Sequence, residues 1–399
     1  MRTANLMDFP VEEYIQRLKK LCQKMERAQV AGILLTQEEN LRYFTGLRST
    51  AWGIKNAVPG ILLMTADGEM VMVGQEHELP TMAATCCLDE TDLFGFTPMP
   101  SDTSSLAKAL AEAMARLGLT RGRIGIESGM VARLSMRYMD FFALQSLTDQ
   151  VEYVPFSREL WEIRSIKSPR EIEIYRQVCA ISGHCYQKAF DSVELDHTTE
   201  QEVYHIFAQE AFRLGADGMP PLIVEFGRGR YTQANCPPSD KVITSKEHEF
   251  LFIDTGPSLK GYITDTIRMA VVGSMNARQR ELRAMADEAL WFCLNMIRDG
   301  VPCYEISAKM DKMVEARGFG PWNQTRGWTG HSIGLDVHEP PTLSCDCDMI
   351  LRSGMILSVE PLMMDAENGM IATEHNILVT DTGYENLTPW LSDMVILQK

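Results

Sequence analysis

The sequence predicts an α/β domain over residues 1–162 followed by an α+β domain over 163–399. Three observations carry this. Helix-period and strand-like patterns alternate through roughly the first 160 residues, as in a layered domain. A proline-led helix start at Ile163-Arg-Ser-Ile-Lys-Ser-Pro169 interrupts that alternation. Beyond it, helices and strands mix without regular βαβ order. The length of 399 residues suits two domains at roughly 150 residues each.

In chain order, Tyr14, Leu18, Leu21 and Met25 share one face of a helix over Val11 to Gln29. Gly32-Ile-Leu-Leu-Thr36 has the length of a buried strand, and Glu38 to Phe44 is a helix stopped by Gly46. Gly60-Ile-Leu-Leu-Met64 and Met70-Val-Met-Val73, joined by Thr65-Ala-Asp-Gly68, read as a hairpin. Ser105 to Leu117 is an amphipathic helix and Arg123-Ile-Gly-Ile126 a strand. In the second half, Pro169 opens a helix to about Phe190, and Thr199 with Glu202 forms a capping-box signature for a helix to about Leu214. Strands are expected at Leu222-Ile-Val224, Phe250-Leu-Phe-Ile253 and Met269-Ala-Val-Val272, and helices over about Arg278 to Arg298 and Tyr304 to Ala316. Ile356-Leu-Ser-Val359, Ile371 to Thr380 and Met394-Val-Ile-Leu397 complete the strands. The Pro-Pro pairs at 220–221, 237–238 and 340–341 read as loops.

Composition excludes several classes of function. Hydrophobic residues at 45% and charged residues at 23% are globular values. A net charge of −16, from 38 basic and 54 acidic residues, argues against binding nucleic acid or an anionic membrane surface. No apolar run reaches the roughly 18 residues that a bilayer span requires. The start Met1-Arg-Thr-Ala-Asn-Leu-Met-Asp8 has no secretory pattern, and ten sparse cysteines read as reduced thiols, so a cytoplasmic protein is expected.

Five residues at or near the ends of strand-like segments carry the chemistry. Asp254 follows Phe250-Leu-Phe-Ile253, and Asp265 lies eleven residues later. His331 sits in Gly330-His-Ser-Ile-Gly-Leu-Asp-Val-His-Glu339, Glu360 closes Ile356-Leu-Ser-Val359, and Glu374 sits in Ile371-Ala-Thr-Glu-His375. Carboxylates at the edge of a buried sheet require a cation or donors. Taken alone, an Asp at a strand end more often reads as a turn or cap residue; the ordered set of five is specific. Four carboxylates and one imidazole suit two divalent ions about 3.5–4 Å apart, whose four charges they neutralise. Oxygen ligands with one nitrogen favour manganese, iron, cobalt or zinc over metals that prefer thiolates.

The same residues resemble the metal ligands of the methionine aminopeptidase, prolidase and aminopeptidase P superfamily, which has the pita-bread fold. The motifs are Phe252-Ile-Asp-Thr-Gly256, Gly261-Tyr-Ile-Thr-Asp-Thr-Ile-Arg268, Gly330 to Pro341, Gly354-Met-Ile-Leu-Ser-Val-Glu-Pro361 and Ala372-Thr-Glu-His375. Glu39-Asn-Leu-Arg-Tyr-Phe-Thr-Gly-Leu-Arg-Ser49 resembles the creatinase and prolidase N-terminal domain, and Lys167-Ser-Pro-Arg-Glu-Ile172 its linker. The likeness covers nearly the whole chain. It implies a creatinase/prolidase-type N-terminal domain, a pita-bread catalytic domain, and Asp254 on one metal. It further implies Asp265 and Glu374 bridging both metals, and His331 and Glu360 on the second. A bridging hydroxide would be the nucleophile, Glu360 the proton shuttle, and His338 a hydrogen-bond partner of the substrate.

The substrate shell departs from the family pattern. Aligned on Pro238-Ser239-Asp240, a usual histidine falls on Asn235, which hydrogen-bonds but carries no proton at neutral pH. Another histidine position of proline-specific members is Gly327. Arg228 and Arg230, in the loop ending at Tyr231, read as a clamp for a substrate carboxylate or as solvated loop charges. Trp52, Trp322 and Trp328 read as an aromatic wall or as core residues, and Arg268 as a brace for the metal loop. The expected activity is an Xaa-Pro aminopeptidase- or dipeptidase-like metallohydrolase acting on a small peptide. The alternative is a small carboxylated metabolite, handled by a lyase like that for dimethylsulfoniopropionate or by a creatinase-like C–N hydrolase. The resemblance also implies a homodimer, with Arg48 or Trp52 near the neighbouring site.

Overall fold

The structure, a computed structural model, describes residues 1–54, 57–98, 104–220, 223–228, 236–320 and 327–398. Arg230, Tyr231, Asn235 and Trp322 lie outside the described residues. Internal contacts divide the chain into Met1–Arg164 and Ser165–Lys399.

In the first unit the elements are α1 (Val11–Ala28), β1 (Gly32–Leu35), α2 (Glu38–Thr45), β2 (Ile61–Thr65), β3 (Met70–Gln75), α3 (Leu79–Thr85), β4 (Leu93–Phe96), α4 (Ser105–Arg116), β5 (Gly122–Ile126), α5 (Tyr138–Leu147), β6 (Val151–Pro155) and α6 (Ser157–Arg164). The strands form one sheet in the order β4-β3-β2-β1-β5-β6, with the predicted β2–β3 hairpin antiparallel and β1–β5–β6 parallel. Leu34, Leu63, Val71 and Ile124 of the sheet pack with Leu106, Leu110 and Met114 of α4. Gly46 ends α2 with φ 84°, the left-handed turn that glycine takes without strain. The buried Glu127 carboxylate accepts from the Thr36 and Gln37 amides, the Thr36 hydroxyl and the Asn40 side chain, tying the end of β5 to the start of α2. The periodicity missed α5 because Tyr138-Met-Asp-Phe-Phe-Ala-Leu144 is apolar nearly all round and shows no stripe.

The second unit contains α7 (Pro169–Asp191), α8 (Glu200–Arg213), β7 (Ile223–Gly227), β8 (Phe250–Thr255), β9 (Ser258–Leu259), β10 (Tyr262–Ile263), β11 (Thr266–Val272), α9 (Ala277–Met296), α10 (Cys303–Ala316), β12 (Gly330–Ser332), β13 (Glu339–Thr342), β14 (Ile356–Val359), β15 (Leu362–Asp365), β16 (Gly369–Ala372), β17 (His375–Val379), β18 (Tyr384–Asn386) and β19 (Val395–Leu397). Both α7 and α8 open with complete capping boxes, Ser168 with Glu171 and Thr199 with Glu202. Two sheets dominate, in the orders β19-β11-β8-β7 and β13-β12-β14-β17-β18. Val224, Phe226, Leu251, Ile253 and Ala270 of the first sheet pack against Tyr186, Phe190, Val203 and Phe207 of α7 and α8. Because side chains alternate along a strand, Glu225, Phe252, Asp254 and Met269 project from the opposite face.

Two expectations are corrected. The run Ile371 to Thr380 is two strands in different sheets, β16 and β17, and Glu374 occupies the break. Hydrophobicity does not register that break, because both strands are buried. Pro340-Pro341 lies in β13, not in a loop. As the edge strand of its sheet, β13 tolerates residues that cannot donate to a ladder.

Candidate metal centre

Strand geometry brings Asp254, Asp265, His331, Glu360 and Glu374 together. Asp254 is the penultimate residue of β8, and Asp265 immediately precedes β11, whose Thr266 pairs with Thr255. Gly256 permits the approach of the intervening hairpin, since a Cβ there would lie 1.9 Å from Thr264 Oγ1 and 2.2 Å from its carbonyl oxygen. His331 lies on β12, flanked by β14, which runs into Glu360; β14 in turn pairs with β17, and Glu374 immediately precedes β17. Ligand atoms of Asp254, Asp265 and Glu374 all lie within 4.8 Å of one another, as do those of His331, Glu360 and Glu374 and those of Asp265, His331 and His338. Asp265, Glu374 and His331 thus each belong to two overlapping groups.

The donor set fits cations. His331 is fully buried, and its Nδ1 donates to the Ser332 carbonyl at 2.9 Å, which leaves the Nε2 lone pair facing the cluster. Nε2 stands 3.5 Å from Asp265 Oδ2 and 3.4 Å from Glu360 Oε1, yet among the described residues has no hydrogen-bond partner. Glu374 Oε2, also buried, has none among them either, while Oε1 accepts from the Ser358 hydroxyl. A lone pair directed at carboxylate oxygens is stable only with a proton or a metal ion between them. Burial opposes charge on His331, but Asp265 and Glu360 outweigh it and raise the ring to about 10. Burial, with Asp265, Glu360 and Asp254 nearby, raises the Glu374 carboxyl well above the usual carboxylate range. Each shift is what a cationic centre would relieve.

Sequence profiles match this chain over most of its length: Creatinase/Prolidase N-terminal domain over residues 17–166 and Metallopeptidase family M24 over residues 173–381. The chain belongs to metallopeptidase family M24. It is therefore an enzyme, a metal-dependent hydrolase of peptidase type, with a creatinase/prolidase-type N-terminal domain and a pita-bread catalytic domain. The uncharacterized peptidase YqhT of Bacillus subtilis is 26% identical over 386 residues, covering 96% of this chain and 100% of that protein. An Xaa-Pro dipeptidase of Pyrococcus horikoshii is 24% identical over 94% of this chain and 97% of its own length. Among solved structures, dipeptidase PepE from Mycobacterium ulcerans superposes with a TM-score of 0.84 at 19% identity, covering 98% of this chain and 100% of that one. Xaa-Pro dipeptidase from Bacillus anthracis gives 0.79 at 23%, covering 96% and 100%. At those identities the structural likeness is one of fold.

Around the centre of this M24 chain, Trp328, His331 and His338 form an aromatic group. The His331 and His338 rings meet edge-on at 4.4 Å, and Trp328 lies 5.1 Å from His338 and 5.9 Å from His331. His338 is solvent-accessible, and desolvation together with the neighbouring His331 lowers it from the ordinary histidine value. Arg228 is exposed and lines a surface cleft with Asn276, Arg278 and Glu367, none of which belongs to the ligand groups. Arg268 does brace the metal loop, donating to the Glu374 carbonyl.

Sequence reasoning missed Ser358 and Asn376. The Asn376 amide donates to the Asp265 carbonyl at 2.7 Å and to Ser358 Oγ at 3.1 Å, while its Oδ1 accepts from the Asp265 amide at 3.2 Å. Ser358 Oγ also contacts the Asp265 carbonyl at 3.1 Å. The readable signal is a polar residue at a buried position inside an apolar strand, Ile356-Leu-Ser-Val359 and His375-Asn-Ile-Leu378. Such partners orient ligands, so Asn376→Ala is expected to weaken metal binding about 10–100-fold, read by competition with a chelating dye.

Proposed function

We propose that this protein is an Xaa-Pro aminopeptidase- or dipeptidase-like hydrolase of small peptides. Asp254, Asp265, His331, Glu360 and Glu374 would hold two divalent ions drawn from manganese, iron, cobalt and zinc. The observation that carries the reading is the overlap of the ligand groups. Asp265 and Glu374 share one group with Asp254, and each recurs in a group with His331, as bridging carboxylates must. The Xaa-Pro dipeptidase of Pyrococcus horikoshii, matched over 94% of this chain, supports the substrate class.

Bound divalent ions acidify water and polarise a substrate carbonyl. Glu360, at 2% exposure, would hold a proton on its carboxyl and pass it to the leaving amine. His338, accessible beside His331, hydrogen-bonds the substrate, and Trp328 walls that side. Asn235 would supply a further hydrogen bond, and Arg230 and Tyr231 would take a substrate carboxylate, whereas the exposed Arg228 lines a cleft away from the ligand groups. A homodimer is supported by α5, whose Tyr138, Met139, Phe142 and Leu147 stay exposed. Ten free cysteines accord with the cytoplasm.

The test is hydrolysis of a short Xaa-Pro peptide panel by manganese- or iron-loaded protein, with chelated protein as control. Release of the N-terminal residue only with metal is the expected result. Silence from protein that holds two metal ions per chain overturns the peptidase reading.

A further inference from the structure

Glu225 is fully buried on β7, and the mechanism above does not use it. It stands opposite Phe252 in the β7–β8 register, while Ile223 stands opposite Asp254. Directly paired residues project to the same face, so Glu225 shares the face of Asp254 and not the helix-covered face of Val224 and Phe226. As diagonal neighbours, the two acidic residues are separated by about 7–8 Å at the backbone. That spacing also suits the two ends of a small ligand. Among the described residues Glu225 belongs to no metal-ligand group.

Its two oxygens have different surroundings. Oε1 accepts from the Cys236 amide at 3.3 Å, and Oε2 is buried without a hydrogen-bond partner among the described residues. Anchoring the Cys236 segment needs only one oxygen, which a glutamine would provide as well. The other charged groups nearby have separate duties. The Glu200 carboxylate accepts from the Phe226 and Ser239 amides and the Ser239 hydroxyl, and the Lys241 ammonium donates to the Phe226 carbonyl. Burial and Glu200 raise the Glu225 carboxyl to about 7, against the opposing Cys236 amide and Lys241. An open carboxylate oxygen, buried and with a second carboxylate close by, calls for a cationic donor.

We propose that Glu225 is a substrate-recognition residue whose Oε2 accepts a hydrogen bond from a positively charged nitrogen of the substrate. For a small peptide that nitrogen is the free amino terminus, an identification that rests on the peptidase reading. A hydrogen bond to a charged group contributes enough to favour the free amine over its acylated form by about 10–100-fold.

The probe is the ketomethylene isostere of Ala-Pro, which cannot be hydrolysed, with its amino terminus free or acetylated. Calorimetric titration of metal-loaded wild type and Glu225→Gln gives the ratio of the two affinities. The expected result is a wild-type preference of about 10–100-fold for the free amine, falling toward one in Glu225→Gln. Should that variant not fold, Glu225→Asp withdraws the carboxylate by one methylene and is read by the same ratio, with the same expected fall. A ratio unchanged in the variant, a wild-type ratio near one, or no binding of either isostere overturns the assignment. Wild type that binds with preference yet cleaves no Xaa-Pro peptide overturns the peptidase reading alone.

Discussion

Asp265→Ala is expected to lose bound metal and hydrolysis together, lowering kcat/KM by about 10³-fold or more. Metal polarisation contributes several kcal/mol to such reactions, and each 1.4 kcal/mol is about tenfold in rate. Asp265 is the residue to change because its carboxylate belongs to two ligand groups, so its loss affects both. Metal content by elemental analysis and initial rates on the same preparation check the coupling. Stability should respond with a second signature. Metal at a hundredfold excess over its Kd stabilises wild type by about 2.7 kcal/mol, an increment that Asp265→Ala should largely lose. A variant that kept full activity without metal would overturn the assignment of Asp265.

Arg268→Met is expected to cost about 3–5 kcal/mol of unfolding free energy, the range for stranding the partners of a buried charge. Only 1% of Arg268 is exposed, and its guanidinium donates to the carbonyls of Ile267 at 2.8 Å, Thr388 at 2.7 Å, Trp390 at 2.9 Å and Glu374 at 2.5 Å. It also stacks on the Trp390 ring at 4.5 Å. Burial lowers it to about 10, still cationic at neutral pH. Methionine fills much of the volume but leaves four carbonyl contacts unmade. Differential scanning calorimetry should show Tm falling by roughly 6–20 °C, from about 2–4 °C per kcal/mol. Arg268→Lys keeps the charge but not the planar fork, and should recover less than half the loss. Because one of the carbonyls belongs to Glu374, metal affinity should fall in parallel with Tm. An unchanged Tm in Arg268→Met would refute the bracing role.

What the sequence determined by itself was local. Capping residues, glycine stops and hydrophobic period located α1, α2, α4, α7, α8 and the strands β2, β3, β8 and β14, because each signal lies within one turn or one strand. The five candidate ligand positions were legible as an ordered set of acidic residues and one histidine at or near strand-like segments, which is specific where any single one is not. Only the tertiary structure decided how those strand ends meet. The division of Ile371 to Thr380 into β16 and β17 is invisible in hydrophobicity, since both pieces are buried, yet it places Glu374 between Asp254 and His331. Ser358 and Asn376 gain their roles only when β14 and β17 pair beside Asp265. Arg268 was legible as a brace, but its four carbonyl partners were not. Glu225 lay just beyond the expected strand Leu222-Ile-Val224, and only the β7–β8 register put it on the face of Asp254. A side chain's identity is fixed by its codon, whereas its partner is fixed by residues tens to hundreds of positions away, and register and sheet order alone bring those together.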